Sequence, residues 1–143
     1  MNQINPYLNF NGNTEEAFNL YKEVFGGEFE MIMRFGDTPG CENMPEAEKD
    51  MIMHIALKIG GNVLMGTDIP ASMPQVTFGT NFSISISVQS RAEADRVYNA
   101  LSQGGKVNMP MADMFWGAYY GMLTDRFGVQ WMVNFDEKYT DKV

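Results

Sequence analysis

Residues 4–10 read INPYLNF and residues 81–88 read NFSISISV. Both alternate. In the first, Ile4, Pro6, Leu8 and Phe10 fall on one side, with Asn5, Tyr7 and Asn9 on the other. In the second, Phe82, Ile84, Ile86 and Val88 oppose Ser83, Ser85 and Ser87. A period of two predicts a strand with one apolar and one polar face. The two stretches correspond at an offset of 78, Leu8 with Ile86 and Phe10 with Val88. The match continues through Glu15 with Glu93 to Gly26-Gly27 with Gly104-Gly105. A repeat of this length predicts one supersecondary unit used twice.

Each opening strand leads into a helix. After the turn Asn11-Gly12-Asn13, Asn13 or Thr14 can cap a helix with Glu15 and Glu16 in its first turn and an apolar stripe of Ala17, Leu20, Tyr21, Val24 and Phe25. Gly26-Gly27 ends it. In the second copy Ser90 is the cap, and Ala94, Val97, Tyr98 and Leu101 form the stripe. Further strands are expected over 28–35, 51–59 and 62–67, with a loop of roughly fifteen residues after the first. The second copy predicts them at 105–109, 118–123 and 129–135. A second register, Gly61-Asn62-Val63-Leu64-Met65 with Gly128-Val129-Gln130-Trp131-Met132, runs at an offset of 67. The smaller offset follows from the longer loop in the first copy. The expected organisation is one α+β domain: module 1 (1–67), a Pro-bearing linker (68–80), module 2 (81–137) and a tail (138–143), each module a βαβββ unit.

Composition narrows the partners. The formal net charge is −8, and only ten Lys and Arg are scattered along the chain, which argues against nucleic acid. No apolar run approaches the length of a membrane span, and the first residues lack a signal-peptide pattern; a cytoplasmic protein is expected. The single Cys41 cannot form an internal disulfide, and no His lies near it in sequence. Thirteen Met residues point to a soft interior or an adaptable apolar pocket.

Several stretches carry a family resemblance: Asn5-Pro6-Tyr7-Leu8-Asn9-Phe10 with Gly12-Asn13, the helix end Tyr21 to Gly27, and Gly60 to Met65. Phe115-Trp116-Gly117 and Asp125-Arg126-Phe127-Gly128-Val129-Gln130-Trp131 complete it. Over nearly the whole chain the sequence resembles the PhnB-like branch of the vicinal oxygen chelate superfamily, which includes glyoxalase I, bleomycin-resistance proteins and extradiol dioxygenases. The resemblance implies a curled mixed sheet around a cleft, with Leu8, Ile84 and Ile86 under helices. The cleft would receive Asn5, Tyr7 and Asn9 from one module and Ser83, Ser85 and Ser87 from the other; the alternation alone is equally met by polar residues that simply face water. It also implies a homodimer with clefts near the subunit contact.

Metal enzymes of that superfamily place ligands on the first and last strands of each module, which here are Asn5, Ser83, Met65 and Met132. None is a His, Asp or Glu, so no metal and no cofactor are expected. A ubiquinone-pathway methyltransferase activity attached to some PhnB-like proteins finds no Gly-rich strand-to-helix loop here. His54, the one histidine, sits on the strand MIMHIALKI with Met53, Ile55, Leu57 and Ile59 expected beneath and His54, Ala56 and Lys58 outward. It is the candidate general base, and the alternative is a half-buried histidine bonded to a neighbour. Phe115, Trp116, Tyr119 and Tyr120 are pocket, core or interface aromatics, whereas Trp131 is expected behind the sheet. Three readings result. The first is a small-molecule binder contacting its ligand through Tyr7, Asn9, His54, Ser85 and Gln130 beside Met65, Met132 and the aromatics. The others are an enzyme on a small organic substrate and a drug-sequestering resistance protein.

Overall fold

Residues 2–138 are described by the computed structural model, in two units that divide between Thr77 and Phe78; residues 139–143 of the expected tail lie outside the described residues. The first unit runs β1 (Tyr7–Phe10), α1 (Thr14–Phe25), β2 (Glu28–Arg34), α2 (Glu46–Lys49), β3 (Ile52–Ile59) and β4 (Asn62–Asp68). The second runs β5 (Ile84–Ser87), α3 (Arg91–Ser102), β6 (Lys106–Asp113), β7 (Tyr119–Thr124) and β8 (Gln130–Phe135). Their sheets have the same plan, β1-β4-β3-β2 and β5-β8-β7-β6. In each, the first strand lies parallel to the last and every other pair is antiparallel. Two βαβββ modules are present.

Their strand registers correspond. Tyr7 pairs with Met65 as Ser85 pairs with Met132, and Leu8 with Gly66 as Ile86 with Val133. Both sequence offsets therefore reappear as one hydrogen-bonding geometry. The paired glycines have a packing reason. A Cβ on Gly27 would lie 2.1 Å from the Lys58 carbonyl oxygen, and one on Gly105 would lie 2.2 Å from that of Thr124. At both places the chain leaving the helix passes directly over a strand backbone, where only glycine fits.

Alternation puts Leu8, Phe10, Ile55, Leu57 and Leu64 on the face of the first sheet that α1 covers, and all are buried. From α1 they meet Ala17, Phe18, Leu20, Tyr21 and Val24. Phe18, absent from the expected stripe, is fully buried beside Gly66, where a Cβ would come within 2.7 Å of its ring. Phe25 at the helix end is only half-buried. In the second module, the expected Ala94, Val97, Tyr98 and Leu101 are all buried against the sheet. Trp131 lies behind that sheet at 2% exposure and donates its indole N–H to Asp125.

Some elements differ from expectation for local reasons. β1 begins at Tyr7 rather than Ile4, although the Pro6 carbonyl still accepts from Met65 N–H. The long loop after β2 contains a 3-10 turn at Phe35–Asp37 and the single helical turn α2. Neither Asn13 nor Thr14 caps α1 with its own side chain acting on the helix; the Asp68 carboxylate does so from β4, accepting from Gly12 N–H, Thr14 N–H and the Thr14 hydroxyl. Ser90 does cap α3, accepting from Glu93 N–H at 3.0 Å. The pairing of β2 with β3 steps from Met33–His54 to Arg34–Ile52. This bulge at Met53 turns Ile52 into the core in its place, and the Thr67 hydroxyl donates to the Met53 carbonyl.

The modules share a strut of reversed charge. Arg34 at the end of β2 grips Glu15 in the first turn of α1 at 2.6 and 3.1 Å. Asp113 at the end of β6 is gripped by Arg91 in the first turn of α3 at 2.7 and 3.1 Å. Each ties the far end of an edge strand to the start of its helix. The Arg34 hydrogen bond holds Glu15 below the usual carboxylate range, and Arg91 does the same for Asp113.

Candidate functional site

The face of each sheet turned away from its helix carries the polar residues of the alternation. In the first module two rows cross it. Strand pairing places Met31, Ala56, Met65 and Tyr7 in one row, and Met33 directly opposite His54 in the next, toward Thr67 and Asn9. Across these rows the Tyr7 hydroxyl and His54 Nδ1 hydrogen bond at 3.0 Å, with ring centroids 5.6 Å apart. Burial raises the Tyr7 phenol above the ordinary tyrosine value, so it remains a neutral hydrogen-bonding partner. With Nδ1 engaged, Nε2 is the ring atom left to meet a ligand. Tyr7 is 43% exposed and His54 half-buried: the pair is held yet reachable.

In the second module, the corresponding rows are Met109, Met122, Met132 and Ser85, then Ala112, Tyr120, Asn134 and Ser87. Tyr120 occupies the place that His54 holds in the first module, since Ala112 pairs with it as Met33 pairs with His54. Burial raises the Tyr120 phenol as well. Gln130 lies beyond the methionine row, where its amide donates to the Phe82 carbonyl at 2.6 Å.

Sequence reasoning grouped Tyr119 with the ligand-facing aromatics, but it points the other way. Its hydroxyl donates to Asp95 of α3 at 2.6 Å, and Arg91 lies 4.0 Å over its ring. Tyr120, one residue on, faces the helix-free side. Phe115 and Trp116 are in the β6–β7 loop, 98% and 52% exposed. Asn5 and Ser83, half-buried, precede β1 and β5. Cys41 lies half-buried in the loop before α2. The Tyr7–His54 bond was not legible in sequence because 47 residues separate its partners; strand parity supplied only the shared face.

The four positions that the family resemblance assigns to metal ligands, Asn5, Ser83, Met65 and Met132, carry an amide, a hydroxyl and two thioethers. Hard and borderline divalent ions are held by sets built on carboxylate, imidazole or thiolate. Amide and hydroxyl oxygens add only weak neutral donors to such sets and thioethers are unsuited to them, so these four residues fit such an ion poorly. Among the described residues no group of three or more His, Cys, Asp and Glu is placed to hold a metal, and no helix is long and apolar enough to cross a membrane.

Paired βαβββ modules of this topology define the glyoxalase/bleomycin resistance/dioxygenase fold. A family enzyme of that description from Burkholderia phytofirmans shares it at a TM-score of 0.60, at 15% identity and over 90% of this chain and 95% of that one. Within that fold, the chain belongs to the family described as 3-demethylubiquinone-9 3-methyltransferase, whose profile matches residues 2–134. Protein YjdN of Escherichia coli is 31% identical over 92% of this chain and 93% of its own length. The crystal structure of protein PA1353 from Pseudomonas aeruginosa is 47% identical at a TM-score of 0.85, covering 95% of this chain and 98% of that one. A putative 3-demethylubiquinone-9 3-methyltransferase, PhnB protein, from Bacillus cereus is 25% identical at a TM-score of 0.79, over 94% and 99%.

Proposed function

We propose that this PhnB-like protein binds a small organic molecule on the helix-free faces of its sheets, through side chains rather than a divalent metal. The observation that carries the reading is the Tyr7–His54 pair, half-accessible and set beside Met31, Met33 and Met65. A few fixed polar groups in an apolar, adaptable surround are the usual make-up of a ligand site. Methyl transfer, the activity in the family's description, has weak support in these residues. A methyl-donor cofactor is commonly seated on free amides at a strand-to-helix turn, and at the β1–α1 turn the Gly12 and Thr14 amides already donate to Asp68.

One observation favours a second reading. The hydrogen bond between Tyr7 and His54 fixes the orientation of the ring, and in the tautomer whose Nδ1–H donates to the Tyr7 oxygen it leaves Nε2 unprotonated, as a general base requires. The same experiment tests both. In a screen of small organic molecules, a ligand at a hundred times its Kd should stabilise the protein by about 2.7 kcal/mol, with well under one equivalent of Zn, Ni, Mn or Fe in protein purified without chelators. His54→Ala should weaken that ligand by about tenfold. Loss of turnover with binding retained would make His54 a base instead, and a stoichiometric divalent ion would refute the metal-free reading.

We further propose that the protein works as a homodimer, supported by large apolar side chains left exposed at Ile4 and Phe82. Light scattering at micromolar concentration should give about 32 kDa, twice the 16.1 kDa chain; a monodisperse species at the chain mass would exclude it.

A further inference from the structure

The helix-free face of the second module differs in character from the Tyr7–His54 site. Its methionine row is unbroken, with Met122 where the first module has Ala56, and it ends at Ser85. The next row replaces the histidine with Tyr120 and adds Asn134 and Ser87. Across these eight positions there is no Asp, Glu, Lys, Arg or His.

The loop between β6 and β7 stands at the end of these rows and is firmly built. Met114 N–H donates to the Ala118 carbonyl at 2.8 Å and Gly117 N–H to the Met114 carbonyl at 3.0 Å, with Gly117 at φ 101° completing the turn. Both strand ends at its base are fastened to α3, Asp113 by the two-pronged Arg91 contact and Tyr119 by Asp95. This fastened loop nevertheless holds two large aromatic side chains in solvent. Phe115 packs edge-on against Trp116 at 5.0 Å, and Trp116 edge-on against Tyr120 at 6.2 Å. The aromatic series thus leads from the loop onto the helix-free face, next to the methionine row.

Resting on the binding function proposed above, we infer that this face takes an uncharged, planar aromatic molecule, stacked against Trp116 and Tyr120 over Met122 and Met132. Thioethers are polarisable and pack well against ring edges and faces, and exposed aromatics on a rigid frame lose little entropy when a ring stacks on them. Ser85, Ser87 and Asn134 offer neutral donors and acceptors to the ring's polar edge. An ionised ligand would leave water for a surface without a counter-charge.

The test uses the full-length protein with 13C-methyl methionines and three matched probes: quinoline, N-methylquinolinium and quinoline-6-carboxylate. Quinoline should shift the Met122 and Met132 methyl resonances saturably, and both charged probes should bind at least about tenfold more weakly. Trp116→Leu, a change at an exposed loop position, should weaken quinoline by about tenfold while leaving the melting temperature unchanged. Equal or tighter binding of either charged probe would overturn the inference, as would unaltered quinoline binding by Trp116→Leu. Shifts confined to Met31, Met33 and Met65 would overturn it too, while leaving the binding function itself standing. If no methionine on either module responds to these probes or to the wider screen, both readings fall.

Discussion

Asp68→Ala should be the most damaging single polar substitution in the first module, lowering stability by about 3–5 kcal/mol. The Asp68 side chain is 2% exposed and lies at the end of β4. One oxygen accepts from Gly12 N–H, Thr14 N–H and the Thr14 hydroxyl; the other accepts from Ile52 N–H at 2.8 Å. A single carboxylate therefore caps α1, closes the β1–α1 turn and receives the amide at the start of β3. Alanine would leave three backbone amides short of a partner in a site too enclosed for water to replace the carboxylate fully. Asp68→Asn should lose less, since its amide oxygen still reaches α1 while its NH2 opposes the Ile52 amide. Urea unfolding monitored by circular dichroism measures both. A loss below about 1 kcal/mol for the alanine variant would mean that the cap contributes no more than an ordinary one.

Gly27→Ala and Gly105→Ala should each cost about 3 kcal/mol or more, and by the same mechanism in both modules. The added Cβ would sit on a strand carbonyl, at 2.1 Å from Lys58 O and 2.2 Å from Thr124 O, far inside van der Waals contact. Backbone cannot rotate out of the way as a side chain can, so the strand or the helix end must shift. Gly26→Ala is the control. It has a conformation favouring glycine, φ 74° and ψ −147°, yet nothing lies within 4 Å of its added Cβ. It should show only the conformational penalty of about 1–3 kcal/mol. Thermal unfolding of the three variants separates steric conflict from backbone strain: equal losses at Gly26 and Gly27 would remove the packing explanation.

Those two glycine pairs also show why the duplication was readable. A crossing in which one backbone touches another admits a single residue type, so the constraint leaves a letter in the sequence. Side-chain contacts leave weaker traces. Arg34 with Glu15 and Arg91 with Asp113 perform the same fastening with opposite charges, so no residue-by-residue comparison of the modules would pair them. Buried Asp68 likewise reads as an ordinary linker acid until the fold carries it to a helix start 54 residues earlier.

The sequence by itself determined the two βαβββ modules, the faces of their opening strands and the two register offsets. Periodicity is a local property: a strand with one buried face must alternate, and a helix must carry a stripe. It also determined that Asn5, Ser83, Met65 and Met132 are poor ligands for a divalent ion, because donor chemistry belongs to the residue type. Tertiary structure decided what depends on partners far apart in the chain. It joined Tyr7 to His54, turned Tyr119 toward α3 and left Tyr120 on the opposite face. It also drew Ile52 inward through a bulge that places one more residue on β3 than on its neighbour. A one-residue bulge reverses every side chain beyond it, and the long-range pairing that creates it has no periodic signature in the strand.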